Sequence, residues 1–164
     1  MNENPYLGGT DRLSDVLAAI QFLGTYRFYK VGFGYWKDRI KSKPKSAESW
    51  EQLFREHPEF FRVSDKEENV CLILRRARSK SFNVDTEETI SRDERKALTD
   101  EARERISRAP LSTTDLAVLL NAAIELHGRY IAHQAERRWF VSLFAPLMGL
   151  LGVILGAVIG AMLG

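Results

Sequence analysis

The sequence predicts a mainly α chain with a winged-helix-like α+β N-terminal domain. A helical hairpin or stalk and one C-terminal transmembrane helix follow. The expected boundaries are 1–80 for the domain, 81–91 for a linker, 92–138 for the stalk and 139–164 for the membrane helix. Three observations predict this. Three helical patterns precede a hairpin signal in the first half of the chain. A long apolar stripe then runs toward the C-terminus without a breaker. Finally, all 24 Lys+Arg and all 22 Asp+Glu lie before Trp139, and no charge follows it.

Thr10 or Asp11 can cap a first helix, in which Leu13, Val16, Leu17, Ile20 and Leu23 recur at helical spacing. Aromatics follow densely, from Phe22 to Trp36, and Gly32 and Gly34 interrupt them. A short second helix is expected over 35–41. Ser46 is placed to cap a third, "AESWEQLFREH", which Pro58 ends. "FFRV" and "VCLILRR" read as two strands around the polar turn "SDKEEN". Three helices and then a hairpin is the order of a winged helix.

"SFNVDTEETI" reads as a linker. Ser91 and Glu94 suit a capping box for a charged helix over about 92–108, although its apolar positions are few: Ala97, Leu98, Ala102 and Ile106. Pro110 breaks the chain, and Ser112 or Thr113 caps the next helix. Its stripe is Leu116, Leu120, Ala123, Ile124, His127 and Ile131. One long helix is expected from about 114 to 163, bent near Pro146.

Residues 139–163 are uncharged, and as a helix they would reach roughly 37 Å at about 1.5 Å per residue, enough to cross a bilayer. Arg129, His133, Arg137, Arg138 and Trp139 are placed at the membrane interface. With the positive charge on the N-terminal side, the expected location is a bacterial inner membrane, single-pass, with the N-terminal domain cytoplasmic. Gly152, Gly156, Gly160 and Gly164 fall on one helical stripe, which predicts a seam for a homo-oligomer or for another membrane protein.

The candidate binding surface is basic. Lys37, Arg39, Lys41, Lys43 and Lys45 form one run, and Arg75, Arg76 and Arg78 with Lys80 a second. Membrane lipid or a protein is the expected partner of this patch, and nucleic acid is the alternative. Duplex reading is disfavoured because the outer face of the third helix carries Glu48, Glu51 and Glu56, which repel phosphates.

Catalytic signatures are missing. The sequence contains no HExxH, CxxC, phosphate loop or nucleophile elbow. The single cysteine, Cys71, sits in an apolar run that predicts an inert thiol. Neither a metal nor a cofactor is implied. The sequence favours a non-enzymatic binding protein, with a hydrolase as the second alternative.

Four stretches carry a family resemblance: "RLSDVLAAIQFLGTYRFYK", "SWEQLFREHPEFFRV", "RAPLSTTDLAVLL" and "IELHGRYIAHQAERRWF". Together they resemble small bacterial single-span membrane proteins of uncharacterised function, some of which carry an N-carbamoyl-amino-acid hydrolase name. The resemblance implies an inner-membrane protein. The hydrolase name implies metal-dependent amide hydrolysis, whose ligand set this sequence lacks.

Overall fold

A computed structural model describes Tyr6, residues 11–40, 42–66 and 68–133, and Glu136. The chain divides into two compact units, Met1–Glu125 and Leu126–Gly164. In the first unit the elements run α1 (Asp11–Thr25), β1 (Val31–Gly32), α2 (Phe33–Arg39), α3 (Trp50–Glu56), β2 (Phe61–Ser64) and β3 (Asn69–Leu72). They continue with α4 (Ile73–Arg76), β4 (Lys80–Asn83), α5 (Arg92–Ala97), α6 (Asp100–Glu104) and β5 (Ile106–Arg108). A further helix, α7, covers residues 113–133; the described residues of the second unit, 126–133 and Glu136, are helical.

The class is therefore mixed α+β, and the mainly α expectation is corrected. Three features account for the difference. A strand, β1, lies between α1 and α2. The run "VCLILRR" is strand only to Leu72, then turns into α4. The stretch expected to be linker and charged helix instead yields β4 and β5, which pair antiparallel around the two short helices α5 and α6. The Ser91–Glu94 capping box is present. However, the helix it starts stops at Ala97, and Thr99 caps a new one. With so few apolar positions, nothing holds a longer helix against the core.

The membrane-span expectation is also corrected: among the described residues, no helix is long and apolar enough to cross a membrane. Arg137, Arg138, Trp139, the apolar run to residue 164 and the seam of Gly152, Gly156, Gly160 and Gly164 lie outside the described residues. Of the predicted apolar stripe on α7, Ala123 is buried, whereas Ile124 and Ile131 are nearly half exposed.

The core lies between helices and a three-stranded antiparallel sheet of order β1-β3-β2. Alternation along the strands sends Phe61, Val70, Leu72 and Val31 inward, all at most 2% exposed. Against them lie Val16, Ala19, Ile20 and Leu23 of α1, at a spacing of three or four residues, and Leu53 and Phe54 of α3. Trp36 links these layers, with its ring 4.8 Å from Phe22 and 4.9 Å from Phe54.

Polar groups fix the elements at their ends. Asp15 is buried on α1 and accepts from the Ser46 backbone N–H at 2.8 Å and from its hydroxyl at 2.6 Å. Ser46, expected as the third helix's cap, thus anchors the preceding loop, and Ser49 caps α3 by accepting from the Gln52 N–H. At the other end of α1, carbonyls left without intrahelical partners are met by tertiary donors. The Leu111 N–H donates to Gly24 O at 2.8 Å. Arg75, fully buried, donates to Leu23 O at 2.8 Å, to the carbonyls of Tyr26, Arg27 and Phe28, and to Arg108 O at 2.6 Å.

Gly24 is where the start of α7 meets α1. A Cβ there would stand 3.0 Å from the Leu116 side chain and 3.4 Å from Leu111. Overpacking costs about 1–3 kcal/mol, while alanine gains about 1 kcal/mol of helix propensity. Gly24→Ala is expected to lower the unfolding free energy by about 1 kcal/mol, read from urea denaturation. A stabilised variant would show that Leu116 yields freely.

A second polar cluster closes the far side of α3. His57 is fully buried, its Nδ1 lies 3.0 Å from a Glu59 carboxylate oxygen, and the Tyr6 hydroxyl donates to the same oxygen. Burial pushes the Glu59 carboxyl up, but hydrogen bonds from His57, Tyr6 and its own backbone outweigh it, and the net shift is downward. A carboxyl whose folded-state pKa is depressed contributes stability at neutral pH and loses it as pH falls through the folded value. The melting temperature of the native chain should therefore fall more steeply than that of Glu59→Gln as pH drops below about 4.3, the ordinary glutamate value. Parallel curves would refute the coupling.

Candidate functional site

The sheet has a second face. In the β2–β3 ladder Arg62 stands opposite Cys71 and Ser64 opposite Asn69, so these four side chains share the sheet face opposite that of Phe61, Val70 and Leu72. Continuing the β1–β3 register, which pairs Val31 with Val70, places Lys30 beside Cys71 on the same face. A cleft of about 410 Å³ opens over this row. Arg76, the last residue of α4, and Arg108, at the end of β5, close its sides together with Tyr29.

The described lining has four cations, Lys30, Arg62, Arg76 and Arg108, and no carboxylate. Among the described residues Arg62, Arg76 and Arg108 make no ion pair. The buried Nε of Arg108 has no hydrogen-bond partner there either. The floor of the cleft is the Cys71 thiol, 4% exposed. Burial pushes its pKa up, and the charges of Arg76, Lys30, Arg108 and Arg75 only partly oppose this. The thiol stays protonated at neutral pH, as the sequence reading of an inert cysteine expects. Three guanidinium groups gathered without an ion pair among the described residues repel one another unless an anion sits among them.

The basic residues expected to form one patch are dispersed. Arg76 alone enters the cleft. Arg75 is fully buried, and its pKa is drawn down to about 10 by burial and by the neighbouring Arg78. Arg78 pairs with Asp115 and donates to Pro110 O at 2.7 Å. Lys45 lies 4.0 Å from Asp11, and the Arg39 guanidinium lies over the Tyr35 ring. Lys37 and Lys43 border a smaller apolar recess of about 220 Å³ beside Trp36, Trp50 and Pro44. Lys41 lies outside the described residues, and Arg129 and His133 are exposed on α7.

Sequence reasoning missed Lys30, Arg62 and Arg108. Arg62 was recoverable, because period-two alternation within "FFRV" sets it on the face opposite Phe61. Arg108 was hidden inside a stretch read as helix. Among the described residues no cluster of histidine, cysteine and carboxylate side chains could hold a metal ion.

Comparison with family models, curated proteins and solved structures finds no match.

Proposed function

We propose that the first unit is a non-enzymatic binding module that captures phosphate groups of a partner in the cleft over Cys71. One observation carries this reading: four cationic side chains from four separate segments converge there with no carboxylate in the described lining. Guanidinium groups suit phosphate because their forked N–H donors match its oxygens. Ser64 and Asn69 add neutral hydrogen-bonding groups at the rim. The lining holds and orients charge, and its protonated thiol supplies no nucleophile, so binding is favoured over catalysis.

Calorimetric titration of the full chain with inorganic pyrophosphate tests the proposal. Binding should weaken with salt. Arg62→Gln should reduce the affinity roughly tenfold to a hundredfold, the range for a lost hydrogen bond to a charged group. An affinity that Arg62→Gln and Arg76→Gln both leave unchanged would place any anion elsewhere and defeat the assignment.

A further inference from the structure

The cleft adjoins an unusual run of aromatic rings. Tyr26, Phe28, Tyr29 and Tyr35 are each neither fully buried nor fully exposed. The Tyr26 ring lies 5.4 Å from Tyr35 and 6.1 Å from Phe28, and Tyr29, next in sequence to Phe28, lines the cleft itself. Cations cover three of these rings. Arg39 lies 5.2 Å from the Tyr35 centroid, Arg27 and Arg105 lie 5.9 and 5.3 Å from Phe28, and Arg108 and Lys30 lie 5.0 and 5.8 Å from Tyr29. A chain of this length would show about two such contacts. Among the described residues there are five, on three rings between Phe28 and Tyr35. Arg105 is neutralised by Asp85, so it stacks without adding charge. Arg27 and Arg39 are exposed and make no ion pair among the described residues.

From this arrangement we infer that the phosphate-bearing partner is a single-stranded nucleic acid, its phosphates seated in the cleft and its bases stacked along the ring–guanidinium strip from Tyr29 to Tyr35. The inference rests on the cleft being a phosphate site and deepens it. Every base has a π face, so planar rings and guanidinium planes accept bases without regard to sequence, while cations follow the backbone. A duplex offers its bases only in the grooves. The helix that could enter one, α3, carries Glu51, and Glu48 stands just before its cap, both lining the recess beside Trp36. Carboxylates there oppose a phosphate backbone. A lipid headgroup would use the cleft but leave the strip without a role.

The test uses the full chain and four probes: inorganic pyrophosphate, a short labelled oligothymidylate, inorganic polyphosphate as a polyanion without bases, and phosphatidylserine vesicles. The oligothymidylate should bind more tightly than polyphosphate of matched charge. Its logarithmic salt slope should be about −2, for three phosphates neutralised by arginine. Tyr35→Ala should weaken it roughly fivefold to a hundredfold, the range for one lost stacking platform, while pyrophosphate binding stays unchanged and confirms the fold. Tyr35→Trp should restore it, and Arg62→Gln should weaken both ligands. If polyphosphate or the vesicles bind as well as the oligonucleotide, or Tyr35→Ala has no effect on it, the inference fails and the phosphate site stands. If neither pyrophosphate nor oligonucleotide binds, both fail together.

Discussion

Replacing Arg75 by alanine should lower the unfolding free energy by about 3–5 kcal/mol, the upper end of single-substitution effects. The side chain is fully buried and forks across two distant pieces of backbone. These are the carbonyl end of α1, through Leu23, Tyr26, Arg27 and Phe28, and the end of β5, through Arg108. Its partners are carbonyls, not a carboxylate. Removing the cation therefore leaves no stranded charge, but it leaves acceptors with nowhere to turn. Each buried orphan costs about 1–3 kcal/mol. Only Leu23 O is met in a fully buried setting, and the other bonds are partly buried. Water can reach some of those carbonyls, so the costs do not add to their full sum. The positive charge also sits at a helix C-terminus, where it is favoured. Arg75→Lys keeps that charge but cannot fork, and should recover little of the loss. Urea denaturation reads both, and a loss under about 1 kcal/mol for Arg75→Ala would show that the carbonyls find other donors.

Trp36→Ala should cost a similar amount, about 3–5 kcal/mol, for a different reason. The indole is 1% exposed and is the ring on which Phe22, Trp50 and Phe54 converge, each edge-on at 4.8–5.3 Å. Alanine leaves a cavity bounded by rigid rings, which collapse poorly. The indole N–H has no hydrogen-bond partner among the described residues. Trp36→Phe therefore sacrifices no polar contact, and should cost less than about 1.5 kcal/mol. Guanidinium denaturation with near-ultraviolet circular dichroism separates the two variants. Equal losses would mean that indole volume, not ring contact, sets the effect.

The contrast between these residues says what the sequence could reveal. Trp36, Ile20, Leu23 and Phe54 were legible as core because helical spacing is local. The hairpin was legible in β2 and β3, and the Ser91–Glu94 capping box from two residue types three apart. Arg75 was read as surface charge because nothing local distinguishes a solvated arginine from one that meets carbonyls fifty residues away. β4 and β5 were missed because each is short and neither alternates cleanly. Arg108 was missed with them, and so was the cleft. Its cations come from positions 30, 62, 76 and 108, and only tertiary pairing places them on one face. The spacing within "KDRIKSKPK" was a poor guide, because a dense run of like charges spreads over whatever surface carries it.

The Arg75 guanidinium spans from residue 23 to residue 108, and the Tyr29 N–H meets the Ser107 hydroxyl at 3.0 Å. These ties set an order on biosynthesis. A nascent chain can form α1 and the hairpin early, but the wall that Arg108 supplies is lacking until the segment around 106–111 has left the ribosome. Until then the end of the first helix waits for its donors, and the half-made protein has a floor of thiol and arginine with one side open.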